Sequence, residues 1–295
     1  MNKLSLHYLG CSAKSAKVLA ALLKIPAHEI KIHTFPDNES KLSITPVQGT
    51  AIVFASLNNP NEKLLHIALA ASALKDNGAN RLVLVAPYLC YMRQDKAFKS
   101  GEAVSQRVIG ELLANHFDRV ITVDPHLHRT PDLHLVFPNC DVDSLKATDP
   151  LADALNQNFS SNKSILVAPD IEAEQWVSAI SDKTNIPYMV AEKKRKGDRE
   201  ISIKLPQNNI EGMEVIIVDD VISSGMTIVE CAKALKLHGA HKIYVAATHM
   251  VCQDEVLSML AQAGVSRVFS TDSIEHSTNA VSLAPLLADT LSEEC

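Results

Sequence analysis

Short apolar runs alternate with amphipathic segments along almost the whole chain, and this alternation restricts the fold more than any other feature. Leu4–Tyr8, Ala51–Ala55, Arg81–Ala86, Arg119–Val123, Ser164–Val167, Pro187–Ala191, Ile201–Leu205, Glu214–Val218, Lys242–Ala247 and Arg267–Ser270 read as strands. Ala13–Leu23, Lys63–Asp76, Gly101–His116, Asp149–Gln157, Ala173–Ser181, Thr227–Leu237, Asp254–Ala263 and Val281–Leu291 carry a helical period. Asn77-Gly78-Ala79 and His238-Gly239-Ala240 read as helix stops before the next strand. Strand–helix–strand succession of this kind argues for an α/β protein with mostly parallel sheets and helices on both faces.

A length of 295 residues suggests about two domains. The best boundary lies in the polar stretch Pro138–Asp149, which divides the chain into 1–142 and 143–295. Hydrophobic content of 46% and charged content of 21% provide for two buried cores. The net charge of −6 argues against general nucleic-acid binding, so an anionic substrate must be met by local basic clusters. The six cysteines show no zinc-type or Cys-x-x-Cys spacing. Cys90 and Cys231 sit in apolar patterns as small core residues, and a reducing, cytoplasmic setting fits best. The N-terminal residues read as a strand rather than a signal peptide. The longest apolar stretch, Leu82–Met92, falls short of the ~18–20 residues that span a bilayer.

The strongest local signal is Val215–Thr227, where an apolar run ends in Asp219 and Asp220 and continues through Ser223, Ser224, Gly225 and Thr227 into a helical pattern. A strand, a tight loop and a helix N-terminus make an anion site, because free N–H groups and the positive helix end face one spot. The two carboxylates suit the vicinal hydroxyls of a ribose, and the hydroxyls suit its 5-phosphate. The bland alternative is an ordinary capped βα loop.

Other polar clusters fall at strand ends or on loops that reach them, where open α/β sheets bind ligands. Phe35-Pro36-Asp37-Asn38-Glu39 offers an aromatic face and two carboxylates, or simply a solvent turn. Tyr91–Asp95 contains Arg93, a forked donor for phosphate, and Gln94, able to read a base or ribose edge. Asp124-Pro125-His126-Leu127-His128 has metal-like His-x-His spacing but no third ligand at a recognisable interval. Asp170 is placed either to touch a metal or diphosphate or to cap a helix. The basic run Lys193–Arg199 is either a solvated loop or a lid over phosphoryl charge.

Taken in order, these clusters resemble the ribose-phosphate diphosphokinase family, whose members make phosphoribosyl pyrophosphate (PRPP). The resemblance covers nearly the whole chain, and Phe98-Lys99-Ser100-Gly101-Glu102 is similar to the shorter, archaeal-type members. It implies two phosphoribosyltransferase-like domains, nucleotide-binding over 1–142 and ribose-phosphate-binding over 143–295. It implies that Phe35, Asp37, Glu39, Arg93, Gln94 and Asp95 hold ATP, and that Asp219, Asp220, Ser223, Ser224, Gly225 and Thr227 hold ribose 5-phosphate. Lys193, Arg195 and His126 carry the catalytic roles, and His126 and Asp170 lie at the metal. One departure stands out. Family members place small residues, often glycines, after the Pro-Asp of the diphosphate loop, whereas this chain reads Asp170-Ile171-Glu172-Ala173-Glu174.

The implied reaction transfers the β,γ-diphosphoryl group of ATP to the C1 hydroxyl of ribose 5-phosphate with Mg²⁺, giving PRPP and AMP. Such chemistry needs positioning and charge neutralisation more than covalent help. A homodimer or larger homo-oligomer is expected, with no nucleic-acid or membrane partner. Two alternatives stay open: a non-catalytic regulatory homologue, and a phosphoribosyltransferase.

Overall fold

The computed structural model describes residues 4–127, 129–195, 201–206 and 210–294. The chain forms two compact units, 1–145 with 273–275 and 283–295, and 146–272 with 276–282. A linear division at 142/143 would assign the last helix to the second unit. It groups instead with the first.

The first unit runs β1 (Leu4–Tyr8), α1 (Ala13–Leu23), β2 (Ala27–Glu29), β3 (Lys31–Thr34), β4 (Ser40–Ser43), β5 (Gly49–Phe54), α2 (Pro60–Asp76), β6 (Ala79–Ala86), α3 (Ser105–Ala114), β7 (Arg119–Val123) and β8 (Asp141–Leu145). Its sheet has the order β2-β1-β5-β6-β7-β8, parallel throughout. Ala51, Val53, Leu82 and Leu84 are fully buried and pack with Ile67, Ala71 and Leu74 of α2. Those α2 residues recur at helical spacing on one face, which is how a helix covers a parallel sheet. Gly110 of α3 meets the backbone of Val136 so closely that a Cβ would collide with the Val136 carbonyl. The helix can dock there only without a side chain.

The second unit runs α4 (Thr148–Asn158), β9 (Ser164–Ala168), α5 (Glu174–Thr184), β10 (Tyr188–Val190), β11 (Glu192–Arg195), β12 (Ile201–Lys204), β13 (Glu214–Ile222), α6 (Met226–Leu237), β14 (Lys242–Met250), α7 (Asp254–Gln262), β15 (Val265–Thr271) and β16 (Asn279–Val281). Its sheet, β10-β9-β13-β14-β15-β16, is also parallel throughout. Val167, Val215, Ile217, Val245 and Ala247 of this sheet pack with Ile228, Cys231 and Leu235 of α6. Two antiparallel hairpins, β3–β4 and β11–β12, stand apart from the large sheets.

The chain ends in α8 (Ala284–Leu291), which buries Leu287 and Leu291 and packs against α1 of the first unit. Glu294 then accepts from Arg81 Nε at 2.9 Å and from Arg119 Nη1 at 3.1 Å. Burial pushes the Glu294 carboxyl up, but the hydrogen bonds and charges of Arg81 and Arg119 outweigh it and hold it below the ordinary glutamate range. The arginines thereby fasten the chain terminus to the amino ends of β6 and β7.

Several elements lie outside the periodic runs. β8 falls in the stretch read as a polar linker, because an edge strand reading Asp-Val-Asp-Ser-Leu buries only Val142 and its identity comes from pairing with β7. β3 is exposed along its whole length, so it carries no burial pattern to read. α3 starts at Ser105 rather than Gly101, since Gly101 takes a left-handed conformation at φ 89° and Glu102 closes a local turn onto the Phe98 and Lys99 amides. The final helix starts at Ala284, and Asn279–Val281 joins the sheet instead.

His7 is fully buried in β1, with Nε2 3.1 Å from Ser5 Oγ. Burial, and then the charge of neighbouring His28, lowers its pKa from 6.5 to about 4. The folded protein therefore keeps His7 neutral where the unfolded chain takes up a proton. Stability from this source is whole above about pH 6.5 and drains away as pH falls toward 4, by about 2 kcal/mol at pH 5. His7→Leu should flatten that acid slope when unfolding free energies at pH 7 and pH 5 are compared by urea titration. An equal slope in both proteins would contradict the assignment.

Candidate active site

Unequal strand lengths build the carboxyl edge of the second sheet. β13 pairs with β9 as far as Ile217, opposite Val167, but continues beside β14 from Asp219–Ala247 to Ile222–Met250. Asp219 and Asp220 thus belong to the strand itself, beyond the last residue paired to β9. Aspartate is depleted in strands, which is why the residue pattern ends at Val218. Asp220 is buried and its N–H donates to Asp219 Oδ1 at 3.0 Å. Burial pushes the Asp219 carboxyl well above the usual range, and the charges of Asp220 and Asp170 add to the shift. Three carboxylates therefore crowd one end of the sheet.

Ser223 and Ser224 follow as an exposed turn. Gly225 then takes a left-handed conformation at φ 72° as the N-cap of α6, where a Cβ would run into Val256 of α7. Only glycine meets both demands. The first turn of α6 contains Thr227 and no acidic side chain, so no carboxylate of the helix itself offsets its positive dipole end. Carboxylates on the strand and an anion-favouring helix start on the loop give one short segment two opposite electrostatic preferences.

Asp170 stands after Pro169 at the end of β9. Its Oδ1 accepts from Glu172 N at 3.1 Å and Ala173 N at 3.3 Å, capping the short 3₁₀ turn Ile171–Ala173. Its Oδ2 accepts from Lys193 Nζ at 2.9 Å, with both side chains largely enclosed at 16% and 14% exposure. Lys193 reaches it from β11, where it lies opposite Ile203 of β12. Glu172 is exposed and Glu174 opens α5 half-buried. Arg195 ends β11, and its side chain, with residues 196–200, lies outside the described residues, as does His128. The hard carboxylate oxygens of Asp170 suit a Mg²⁺-type cation, which is commonly held by one or two carboxylates together with phosphates. Among the described residues, no group of three or more His, Cys, Asp or Glu side chains is arranged to hold a metal.

In the first unit, Phe35–Glu39 forms the exposed turn of the β3–β4 hairpin. Phe35 N donates to Glu39 O at 2.8 Å, Asn38 sits at φ 68°, and Glu39 N donates to Asp37 Oδ1 at 3.2 Å. The Phe35 ring is 39% exposed and meets His33 edge-on at 4.8 Å. The loop after β6 is tied to its neighbours by backbone: Leu57 N donates to Tyr88 O at 2.9 Å and Val123 N to Pro87 O at 3.4 Å. Arg93 projects as an exposed residue, whereas the Gln94 carbonyl accepts from Gln106 N at 3.2 Å. Asp95 is held by Arg129 through contacts of 2.9 and 3.1 Å, with its side chain 3% exposed. Asp124 is buried at φ 38° and its N–H donates to Leu145 O at 2.9 Å, placing the half-buried His126 in the turn after β7.

The structure thus gathers the loops after β5, β6 and β7 on one edge of the first unit, and Asp170, Lys193, Asp219 and Asp220 on one edge of the second. Three participants escaped the residue patterns. Arg129 holds Asp95, and its cation beside the histidine pair was the available signal. Gln106 Nε2 donates to Met92 O at 3.2 Å and its Oε1 accepts from Thr130, supporting the Arg93 loop from below. Lys63 Nζ donates to Ser56 O at 2.8 Å and Asn58 Oδ1 at 2.7 Å, closing the loop after β5.

Comparison with known proteins covers both units. Residues 6–116 match the N-terminal domain of ribose phosphate pyrophosphokinase, and residues 142–285 match the phosphoribosyl transferase domain. The chain is 32% identical to a ribose-phosphate pyrophosphokinase of Methanothermobacter thermautotrophicus, over 97% of this chain and 99% of that one. It is 30% identical to that of Methanopyrus kandleri, over 94% of each. The fold is similar to that of phosphoribosylpyrophosphate synthetase from Mycobacterium smegmatis, with a TM-score of 0.83, 24% identity and coverage of 99% and 98%.

The raised Asp219 carboxyl makes a stability prediction. In the folded state it holds its proton where the unfolded chain has lost it, so stability declines as pH rises above about 4. Asp219→Asn removes that penalty. Thermal denaturation should show a higher melting temperature for the variant at pH 7 than for the parent, with a smaller gain at pH 5. A variant less stable at pH 7 would refute the strain assigned to this carboxylate.

Proposed function

The chain belongs to the ribose-phosphate pyrophosphokinase family, and we propose that its second unit, within 143–295, holds ribose 5-phosphate while its first, within 1–142, binds the adenine nucleotide. The protein is an enzyme of the PRPP-forming reaction: the C1 hydroxyl of ribose 5-phosphate attacks the β-phosphorus of ATP, and AMP leaves. The observation that carries the assignment of sites is the β13–α6 junction. Asp219 and Asp220 stand near the carboxyl end of β13, one loop away from a helix start that favours an anion, which supports a diol grip beside a phosphate site.

Each cluster takes a role by its chemistry. Asp219 and Asp220 accept from the ribose hydroxyls, whose O–H donors offset the crowding of the carboxylates. Ser223, Ser224, Gly225 and Thr227 surround the 5-phosphate with hydroxyls and backbone N–H groups. Phe35 offers its exposed ring to the adenine face, and Asp37 and Glu39 offer acceptors to its amine. Arg93 and Gln94 contact the nucleotide. Asp95, paired with Arg129, fixes the base of that loop. His126 and Asp170 lie beside the magnesium–diphosphate complex. Lys193 and Arg195 close over the group in transfer and neutralise its charge. Mg²⁺, bound with the phosphates, supplies further charge neutralisation to the diphosphoryl group.

A cytoplasmic setting belongs to the same proposal, supported by the free thiols of Cys11, Cys90, Cys140, Cys231 and Cys252. So does a homodimer or larger homo-oligomer, on family resemblance. No helix among the described residues is long and apolar enough to cross a membrane.

Purified protein supplied with ATP, Mg²⁺ and ribose 5-phosphate should release AMP and PRPP in equal amounts. Folded protein that yields neither would overturn the assignment. Lys193→Ala should lower kcat by ~10²–10³, the loss expected for a transition-state donor, while ribose 5-phosphate affinity stays nearly unchanged. Weakened sugar-phosphate binding with kcat intact would contradict the role of Lys193.

A further inference from the structure

Both carboxylate oxygens of Asp170 are engaged. One oxygen caps the Glu172 and Ala173 amides, and the other receives Lys193 at 2.9 Å. Lys193 is committed in turn, since its side chain is 14% exposed and its ammonium meets this carboxylate. The two groups assigned to the metal and to the transferring phosphoryl group are therefore spent on each other in the unliganded protein. A divalent cation at this carboxylate repels the ammonium beside it, so occupancy by one weakens the hold on the other.

We propose that Asp170 stores Lys193 in an inactive position and releases it when its carboxylate takes a divalent cation, so that metal occupancy and lysine availability are one event. This rests on the roles given to both residues under the proposed function and adds an order to them. The lysine becomes mobile only once metal is present to balance the diphosphate. Coupling of this kind is reciprocal: if metal expels the lysine, removing the lysine must strengthen metal binding by the same factor.

Two measurements on the full chain without nucleotide test the idea, and neither reads turnover. Mn²⁺ binding, followed by electron paramagnetic resonance of the free ion, should be about fivefold or more tighter in Lys193→Met than in the parent protein. Pulse acetylation with peptide mass spectrometry should label Lys193 slowly in the parent, faster as Mn²⁺ is added, and fast without Mn²⁺ in Asp170→Asn. The asparagine keeps the oxygen that caps the turn but turns a donor toward the lysine. Lys233, on the exposed face of α6, serves as the internal reference. Equal Mn²⁺ affinity in Lys193→Met and parent would overturn the proposal, as would Lys193 labelling that neither Mn²⁺ nor Asp170→Asn changes. PRPP formation in the parent separates the two levels. Activity with no coupling removes only the storage role, whereas absence of activity removes the functional assignment beneath it.

Discussion

Parallel pairing in the second sheet is the constraint on which the candidate site depends. It brings all carboxyl ends of the strands to one edge, and the overrun of β13 past β9 then carries Asp219 and Asp220 beyond the last residue paired to β9. Without the ladder to β14 this overrun would have no support, because nothing in an Asp-Asp sequence favours extended backbone. The core residues Val215, Ile217, Val245 and Ala247 thus determine where two carboxylates stand. The cost appears in the Asp219 carboxyl, which burial and then the charges of Asp220 and Asp170 push up.

How much of this was legible beforehand varies with the physical origin of each feature. Strands buried on both faces announce themselves as continuous apolar runs, so β1 and β7 are read to the residue, whereas β13 and β14 run on past the predicted ends at Val218 and Ala247 to Ile222 and Met250. Elements defined by a partner rather than by their own burial are silent. β8 is polar, β3 is exposed, and β16 is three residues long. The same division holds in the site. The Asp219–Thr227 segment is legible because one local stretch carries its chemistry, whereas the Asp170–Lys193 pair spans 23 positions and depends on a hairpin that the sequence shows only in part. The fastening of Glu294 to Arg81 and Arg119 is more distant still, and nothing in a terminal Glu-Glu pair indicates it.

Electrostatics explains why an acidic protein can manage a polyanionic reaction. The whole chain carries a net charge of −6, and the carboxylates at the sheet end of the second unit, where ionised, repel polyphosphate at close range. Such repulsion is useful if the carboxylates are meant for hydroxyls and metal, and only the helix start is meant for the phosphate. The segregation is visible along ten residues, from acidic β13 to the first turn of α6 with no acidic side chain.

The departure after Asp170 follows the same logic. A loop rich in glycine keeps its N–H groups unpaired and ready for an anion. Ile171-Glu172-Ala173 instead coils into a 3₁₀ turn whose Glu172 and Ala173 amides are satisfied by Asp170 itself. The side-chain cap does what a ligand would do in a glycine loop, and it occupies the same carboxylate that retains Lys193. One aspartate therefore controls two backbone donors and one cation. Those amides become available to an anion only if Asp170 releases them, so side chains in place of glycines shift control of the loop from backbone freedom to the occupancy of a single carboxylate.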